Sequence, residues 1–403
     1  MMLISCSAIL IPLLLAISFA YIASVRTDPH YHQPFNSADI ARLSKDKMIL
    51  ITGANAGLGR ASTKLLVEGG EAKAVIMACR SLQKCEDAKK EILHEGGENA
   101  STNENANVND NANVNANANH HSTRKRKTRL IPMQVDLASL ESVKNFAHGV
   151  ELLLKQEQHD HDHGSYAKLD IIINNAGIMG VPYQLATGSN VEMQMHVNHL
   201  AHFAMTSLLY KNLRRGARIV NVSSLAGSFP FLNLQDVNFQ KNHRATFRHY
   251  CGTLQSIIAY GASKRANLLF THSLNQFSKC SNITATVSHP GYSQTSIMYN
   301  GWASAPSFLK YLAGSNKIGS MSSEDGALSQ LRAALDVDHV AANDYVGPLY
   351  FTAGRPVVIG GSMKSYHHFF WPLTDGNKIA NELWKFSEDS IGWKFDGYLN
   401  CEG

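Results

Sequence analysis

The sequence predicts an α/β fold, a single domain built on a doubly wound parallel sheet with helices on both faces. Short apolar stretches alternate along the chain with longer stretches of helical periodicity, which is the pattern of parallel strands joined by crossover helices. The first strand runs directly into a turn that contains three glycines and continues as a helix. With 403 residues, of which 44% are apolar and 17% charged, the chain can bury a core of that size.

The elements of this fold are predicted from apolar runs and from helix start signals. Strands are expected at 48–51, 74–78, 130–135, 169–173, 218–222 and 283–288, with a candidate seventh at 345–351. Helices are expected near 58–68, 81–95, 139–155, 190–211, 260–278 and 323–335, and Ser323 is the expected cap of the last. The domain is predicted to occupy residues 45–403.

The first 25 residues predict an apolar membrane-anchor helix, followed by a linker over 26–44. The stretch 3–25 has no charged side chain and, as a helix, would be roughly 34 Å long, enough to cross a bilayer. A cleaved signal peptide is the alternative, because residues 18–20 resemble a cleavage site, although no basic segment precedes the apolar run. Basic residues between 26 and 47 favour a cytoplasmic location for the domain under the positive-inside rule.

Composition and spacing argue against nucleic acid, a metal site and a disulfide framework. The formal net charge is only +5, and the Asn-rich tract at about 97–123 is expected to be a disordered insertion, followed by the basic run 124–129. That run is more typical of a solvated loop end than of a lipid-binding or nuclear signal. The histidines at 159–163 lack the supporting residues of a specific metal site, and the six cysteines lack paired spacing, so mostly free thiols are expected.

The glycine turn after the first strand is interpreted as a dinucleotide-binding cradle. Gly53, Gly57 and Gly59 permit a tight turn and let backbone N–H groups approach a pyrophosphate at the start of the following helix. Asn55 and Leu58 lie within the same turn and are assigned to the cofactor site. The spacing differs from the dinucleotide pattern Gly-x-Gly-x-x-Gly, so the turn by itself is also compatible with an ordinary glycine-rich turn.

The end of the second strand favours NADP over NAD. Arg80 stands where NAD-binding folds usually have an acid that binds the ribose 2′-hydroxyl, and a guanidinium can instead pair with a 2′-phosphate. Arg60 is a second candidate donor, although an ordinary surface ion pair is the more common role for such a residue. NAD therefore remains an alternative.

Two further strand ends carry small and polar residues that can line a cofactor. Asn175, Ala176 and Gly177 follow the fourth strand, while Asp136 and Leu137 follow the third. Ligands of doubly wound sheets bind at the carboxyl ends of strands, where small residues allow close approach and an aspartate can accept from an adenine amino group. Taken singly, each of these residues can equally belong to a turn or a helix cap.

The chemistry is assigned to a phenol and an ammonium four residues apart on one helix. Tyr260 and Lys264 share a helix face, and the positive charge is expected to lower the pKa of the phenol towards the range useful for general acid/base catalysis. Such a pair, taken alone, is common on solvated helix faces. Ser224, at the end of the fifth strand, can hold a substrate carbonyl, and Asn198 can support the helix backbone and a water.

These motifs resemble the short-chain dehydrogenase/reductase family, and in particular its retinol-dehydrogenase-like group, from about residue 45 to about 351. The family's Thr-Gly-x-x-x-Gly-x-Gly, Asn-Asn-Ala-Gly and Tyr-x-x-x-Lys motifs are matched at 52–59, 174–177 and 260–264. The resemblance implies a Rossmann-type fold with NADP(H) as cofactor. The site residues that it implies are the catalytic tetrad Asn198, Ser224, Tyr260 and Lys264 and the cofactor contacts Pro290, Gly291 and Thr295.

The resemblance also implies a reaction and a class of substrate. Tyr260 would transfer the proton in a carbonyl/alcohol interconversion, Ser224 would stabilise the substrate oxygen, and Lys264 would bind the cofactor ribose. Aromatic residues within 229–247 and 298–312 suit an apolar pocket or pack under loops, and a lipophilic substrate such as a retinoid or steroid is expected. The expected location is the endoplasmic-reticulum membrane. The alternative is a non-catalytic module of the same fold that binds a cofactor or a partner.

Overall fold

The computed structural model describes residues 34–104, 128–157, 166–228, 232–240, 252–293, 321–350, 354–361 and 376–395. The predicted anchor at 1–25, most of the Asn-rich insertion and the histidine run at 159–163 lie outside these ranges. Within the described ranges, no helix combines the length and the apolar composition needed to span a bilayer.

The described residues form an eight-stranded sheet in the order β3-β2-β1-β4-β5-β6-β7-β8. The strands are β1 Met48–Thr52, β2 Ala74–Cys79, β3 Arg129–Gln134, β4 Leu169–Asn174, β5 Leu213–Val222, β6 Thr284–Ser288, β7 Asp344–Pro348 and β8 Pro356–Gly361. Strands β1 to β7 are parallel, whereas β8 pairs antiparallel with β7. The predicted α/β fold with a parallel-dominated sheet is confirmed, and the antiparallel edge strand is an addition to it.

The sheet changes its winding direction between β1 and β4. On one side, β1 pairs with β2 from Met48 to Thr52, and on the other it pairs with β4 through Ile49 and Ile171. In sheets of this kind, ligands bind in the crevice at the carboxyl ends of the strands where the direction changes. The residues that follow β1 and β4 therefore mark the expected ligand site.

Helices cover both faces of the sheet. They are α1 Ser37–Ser44, α2 Gly57–Gly69, α3 Leu82–Glu104, α4 Leu140–Gln156, α5 at 193–209, α6 Gly252–Phe277, α7 Ser323–Leu335 and α8 Gly376–Ile391. Helix α5 widens to π geometry at His196–Leu200 and returns to α geometry at Ala201–Leu209. A short 3₁₀ turn at Leu225–Ser228 follows β5.

Alternate residues of the buried strands pack into two separate cores. Met48 and Leu50 of β1 share one cluster with residues of α4, α5, α6 and α8, including Phe203 and Trp384. Ile49 and its alternate neighbours share the other cluster with residues of α1, α2, α3 and α7. Strands β1 and β2 are buried along their whole length, which explains why continuous apolar runs predict them.

Several predicted boundaries are wrong where the local signal is weak. Helix α6 begins at Gly252, eight residues before the predicted start at 260, and α3 continues to Glu104, inside the predicted disordered insertion, where no proline stops it. Ser322 rather than Ser323 caps α7, since its side chain accepts from the Asp325 N–H at 3.0 Å. Helix α1 lies within the predicted linker, and α8 lies beyond the last predicted helix.

The expectation of free thiols is wrong for three cysteines. Cys79, the last residue of β2, is disulfide-bonded to Cys85 in the first turn of α3. Cys280 is also disulfide-bonded. The first pairing depends on the turn from β2 into α3, which brings the two Cα atoms to 6.0 Å, and sequence spacing alone does not show that turn.

Candidate active site

The glycine turn between β1 and α2 is compact because its glycines allow contacts that other residues would block. Gly53 and Gly57 have φ angles of 69° and 54°, in the left-handed region that favours glycine. A Cβ on Gly59 would overlap the Gly53 carbonyl and lie 2.7 Å from the Asn175 amide nitrogen. Asn55 and Leu58, also predicted to contact the cofactor, are half-buried in the same turn.

Thr52, the last residue of β1, joins this turn to the end of β4. Its Oγ1 accepts hydrogen bonds from the backbone N–H groups of Asn175 and Ala176, both at 2.9 Å. The Asn175 side chain donates in turn to the Thr52 carbonyl at 2.7 Å. The two strand ends at the change of winding direction are therefore locked together by hydrogen bonds within the chain.

Asn198 lies in the π segment of α5, and its side chain is buried and fully engaged. Its Oδ1 accepts from the Ile178 N–H at 2.8 Å, while its Nδ2 donates to the Ile178 carbonyl at 3.0 Å and to Ser263 Oγ at 2.9 Å. Short π segments inside helices are frequent at functional sites. Asn198 thus connects the loop after β4 to helix α6, which carries Ser263.

The other three predicted catalytic side chains meet between β5 and α6. Ser224, two residues after β5, lies close enough to the Tyr260 hydroxyl to oppose the rise in the pKa of the phenol. The Lys264 ammonium donates to the Val222 carbonyl at 3.0 Å, and its Nζ lies 5.8 Å from the centroid of the Tyr260 ring. Lys264 is buried, whereas Ser224 and Tyr260 are partly exposed as residues.

Two glycines bring backbone segments close to this cluster. A Cβ on Gly177 would lie 3.1 Å from Asn198 Oδ1 and 3.3 Å from Lys264 Nζ. A Cβ on Gly227 would lie 2.9 Å from the carbonyl carbon of Lys264. The structure thereby places the four predicted tetrad residues around one point at the carboxyl edge of the sheet.

The remaining described cofactor candidates lie at the same edge. After β6, the turn at Pro290 and Gly291 has a φ of 67° at Gly291, whose N–H donates to His289 Nδ1 at 3.1 Å. After β3, Asp136 accepts the Ala138 N–H at 3.0 Å through Oδ1, and Leu137 is buried. One carboxylate oxygen of Asp136 therefore serves the turn, as the turn interpretation predicts, and the second can still accept from a ligand.

The two candidate arginines differ in their surroundings. Arg60 contacts Glu91 at 3.2 Å and Glu95 at 2.7 Å, so the ordinary ion-pair interpretation holds for it. Arg80 is exposed directly after β2 and forms no ion pair within the described part of the chain. The compact glycine turn and the exposed Arg80 at the same edge of the sheet fit a dinucleotide cofactor.

Known proteins share this arrangement and its sequence. A family model described as short chain dehydrogenase matches residues 101–235. Retinol dehydrogenase 12 of Mus musculus is 31% identical over 361 residues, which cover 87% of this chain and 88% of that protein. The chain belongs to the short-chain dehydrogenase/reductase family.

Other relatives extend this assignment. Retinol dehydrogenase 14 of Mus musculus is 33% identical over 261 residues, and this chain spans 64% of the length of that protein. A crystal structure of an uncharacterized protein from Mycobacterium Paratuberculosis matches with a TM-score of 0.58 at 28% identity, over 90% of this chain and 99% of the other. The resemblance to the retinol-dehydrogenase-like group of short-chain dehydrogenase/reductases is confirmed, and it supports a nicotinamide cofactor and an oxidoreductase activity.

In this short-chain dehydrogenase/reductase site, burial dominates the protonation of the phenol. Burial raises the pKa of Tyr260, and the hydrogen bond from Ser224 opposes that shift. Burial also lowers the pKa of Lys264 to about 8. Burial therefore acts against the predicted lowering of the Tyr260 pKa by Lys264, because it disfavours charge on both groups.

Sequence reasoning assigns no role to two side chains that hold the tetrad in place. His202 lies 2.9 Å from Thr52 Oγ1 through Nε2, and 3.1 Å from the Asn198 carbonyl through Nδ1. Ser263 Oγ donates to the Tyr260 carbonyl at 2.7 Å and accepts from Asn198. Each lies within four residues of a tetrad member on the same helix, and that proximity is the signal that could have identified them.

Part of the predicted site lies outside the described residues. Thr295 and the aromatic segment at 298–312 belong to this part, as do 229–231 and 241–250. Leu232 and Phe239, two described apolar residues of the first segment, pack against the core, so the packing interpretation holds for these two. Within the described ranges, no group of histidine, cysteine and acidic side chains is arranged to hold a metal ion.

Proposed function

We propose that this protein is a membrane-anchored oxidoreductase that transfers a hydride between NADP(H) and a carbonyl or alcohol of a lipophilic substrate, with Tyr260 as general acid/base. The observation that carries the proposal is the meeting of Ser224, Tyr260 and Lys264. The Lys264 ammonium lies 5.8 Å from the Tyr260 ring centroid, and Ser224 lies close enough to the phenol to influence its pKa. The three lie at the carboxyl edge of the sheet, where ligands of this fold bind.

Tyr260 is assigned the proton transfer because the residue is partly exposed and lies beside Ser224. When bound, the nicotinamide supplies or accepts the hydride. In carbonyl reduction, Tyr260 gives its proton to the substrate oxygen, and its raised pKa keeps the phenol protonated at neutral pH. In alcohol oxidation the phenolate must form, and the Ser224 hydrogen bond stabilises it.

Lys264 and Asn198 support this step from the buried side. Lys264 uses one of its three N–H groups on the Val222 carbonyl, which leaves two to reach the cofactor ribose and the phenol. The Asn198 side chain is occupied by Ile178 and Ser263. Asn198 therefore contributes to a proton relay through the position of the α5 backbone, because its side-chain amide is already occupied.

The cofactor and the substrate class are proposed on separate grounds. NADP is favoured because Arg80 is exposed after β2 and has no carboxylate partner among the described residues. The relatives are named retinol dehydrogenases, which supports a long apolar alcohol or aldehyde as substrate. In a series of aliphatic aldehydes, each added methylene should then lower KM roughly fourfold until the pocket is filled, given about 0.8 kcal/mol per buried methylene.

The test of catalysis is Tyr260→Phe in the full chain, purified in detergent and assayed with NADPH and a panel that includes retinaldehyde. We expect kcat to fall roughly 10²- to 10⁴-fold, because the general acid is lost. Calorimetric Kd for NADP⁺ should stay within about threefold, which is less than 1 kcal/mol. Tyr210→Phe is the matched control, since that buried hydroxyl bonds to Ser278 and Ser281, outside the site.

Two results would count against the proposal. Undiminished turnover in Tyr260→Phe would remove Tyr260 from the chemistry. Cofactor binding by the wild type without turnover of any panel member would favour the non-catalytic module. Loss of activity in Tyr210→Phe as well would mean that both substitutions act through the fold.

Membrane attachment through residues 1–25, with the catalytic domain facing the cytoplasm, has its own test. The full chain should stay in the membrane pellet after carbonate extraction. Deletion of residues 1–25 should move the protein into the soluble fraction. Two glycosylation sequons report on orientation, one at 99–101 and one at 282–284, where Asn282 is exposed. A cytoplasmic domain carries no glycan at either, so a mass shift on deglycosylation that disappears in Asn282→Gln would contradict the orientation.

A further inference from the structure

His202, in α5, contacts both halves of the site at once. The side chain is only 1% exposed. Its Nε2 lies 2.9 Å from Thr52 Oγ1 at the glycine turn, and its Nδ1 lies 3.1 Å from the carbonyl oxygen of Asn198, one helical turn earlier. The proposed chemistry gives this imidazole no task, although it bridges the cofactor turn and a tetrad residue.

The bonding capacity of Thr52 fixes which ring nitrogen carries a proton. Two N–H groups, those of Asn175 and Ala176, occupy both acceptor positions of Thr52 Oγ1 at 2.9 Å. Its single proton is then directed either to His202 Nε2 at 2.9 Å or to the Ile173 carbonyl at 3.4 Å, and the shorter contact is the stronger. Thr52 therefore donates to Nε2, which is the unprotonated nitrogen.

The other nitrogen follows from the Asn198 carbonyl, which can only accept. Nδ1 must carry the hydrogen, so a neutral imidazole of one tautomer satisfies both contacts. Burial and, to a smaller extent, the Lys264 charge lower the pKa of His202 to about 4, against the opposing effect of the bond to the Asn198 carbonyl. The neutral form is thus the one present at physiological pH.

We propose that His202 is a positioning residue that fixes the cofactor turn and the Asn198 backbone at one separation, an inference that rests on the proposed dehydrogenase function. The Nε2 contact holds Thr52, whose neighbours form the pyrophosphate cradle. The Nδ1 contact holds the π segment, from which Asn198 reaches Ser263 on the Tyr260 helix. The two contacts can be removed separately. Loss of the Nε2 contact should affect the cofactor turn, and loss of the Nδ1 contact should affect the position of Asn198.

Two conservative variants of the full chain separate the contacts. An asparagine places its amide where Nδ1 lies, so His202→Asn keeps the bond to the Asn198 carbonyl and loses the one to Thr52. A glutamine reaches the Nε2 position, so His202→Gln keeps the Thr52 bond and loses the other. His202→Leu removes both contacts and serves as the reference for the double loss.

The expected results differ in kind. In His202→Asn, calorimetric Kd for NADP⁺ should rise roughly tenfold while kcat stays within about twofold, as expected for a lost buried hydrogen bond on the cofactor side. In His202→Gln, kcat should fall roughly tenfold while Kd stays within about twofold. A merely structural histidine would move both quantities together in both variants, and that outcome, or no change in either, would overturn the proposal.

A second measurement does not depend on turnover. In protein labelled with ¹⁵N-histidine, the imidazole signal that disappears in His202→Gln should have the shifts of an Nδ1–H tautomer. An Nε2–H tautomer would overturn the proposal whatever the kinetics show. If the wild type turns over no substrate, the proposed function fails, and the difference in Kd between the two variants together with this tautomer still decides the role of His202.

Discussion

The glycine turn and the Tyr260 cluster lie at the same edge of the sheet but are held by different kinds of contact. The geometry of the turn is set by the backbone. Gly53 has a φ of 69°, Gly59 has no room for a Cβ, and two backbone N–H groups bond to Thr52. The properties of the cluster are set by ionisable side chains, whose protonation depends on burial. Burial raises the pKa of Tyr260 and lowers that of Lys264 to about 8.

This difference predicts how each region responds to change. Backbone contacts have no protonation state, so damage to the turn should weaken cofactor binding equally at every pH. The cluster contains groups whose charge depends on burial, so a change there should alter a pH dependence. Substitutions in each region can therefore test whether the distinction is real.

The largest effect is expected for Gly59→Ala. The new Cβ would overlap the Gly53 carbonyl and lie 2.7 Å from the Asn175 amide, and neither group can move without opening the link between β1 and β4. We expect the loss of folded protein or, in what folds, a fall of roughly 100-fold or more in NADP⁺ affinity by calorimetry, because overpacking of a rigid site costs about 1–3 kcal/mol or more.

Gly149→Ala is the matched control, because Gly149 also lies inside a helix. A Cβ there would meet only the terminal methyl of Met133, at 3.1 Å, which can move aside. Replacing a helical glycine by alanine then gains up to about 1 kcal/mol in stability. The two substitutions should have opposite signs in a thermal melt, and a Gly59→Ala protein that melts and binds like the wild type would show that the turn is not limited by backbone contact.

The second effect concerns Lys264→Met and the pH dependence of stability. The folded pKa of Lys264, about 8, lies below the ordinary value of about 10.4, so between these values the unfolded chain binds more protons than the folded one. The contribution of Lys264 to the unfolding free energy must therefore rise with pH in that window. Methionine cannot titrate, so the wild type should gain about 3 kcal/mol over the variant as the pH rises from about 8 to about 10.4, in urea titrations without cofactor.

Lys378→Met, on the exposed side of α8, controls for the removal of a lysine from the surface. Subtracting its profile leaves the part that belongs to the buried ammonium. A difference between wild type and Lys264→Met that stays flat with pH would mean that burial does not set the protonation of the cluster, and the contrast with the turn would be lost.

The same contrast explains which parts of the molecule the sequence predicts. The seven parallel strands follow from apolar runs, since both faces of the sheet are buried, and the glycine motifs follow from contacts that only glycine permits. Strand β8, the antiparallel edge strand, also contains an apolar run at 357–359, and the prediction missed it. The pairing of Cys79 with Cys85 depends on the angle at which α3 leaves β2, and spacing does not encode such an angle.

The site shows a comparable division. Ser224, Tyr260 and Lys264 can be identified from the sequence because they match family motifs. The structure brings the three residues together. Their protonation is not predictable from the i and i+4 spacing, because it depends on how deeply neighbouring elements bury the pair. His202 is missed for a related reason, since its partner Thr52 lies 150 residues away in the chain.

The smallest effect is expected at Arg80. This residue is assigned to the cofactor site, as the glycine turn is, but it would contact the cofactor through its side chain rather than through the backbone. Arg80→Gln should raise Kd for NADP⁺ roughly tenfold, because a charge-assisted pair with a phosphate contributes about 1.5–3 kcal/mol before solvent screening. Kd for NAD⁺, which has no 2′-phosphate, should stay unchanged. The loss should shrink as salt is added, unlike the loss in Gly59→Ala, and calorimetry at two ionic strengths measures both.

Arg60→Gln supplies the matched control, since its guanidinium is already occupied by Glu91 and Glu95. We expect both dinucleotides to bind it as they bind the wild type. If Arg60→Gln rather than Arg80→Gln weakened NADP⁺ binding, Arg60 would have to leave its two carboxylates when the cofactor binds. If Arg80→Gln weakened NADP⁺ and NAD⁺ equally, Arg80 would act by shaping the turn, and the cofactor end would then depend on backbone geometry alone.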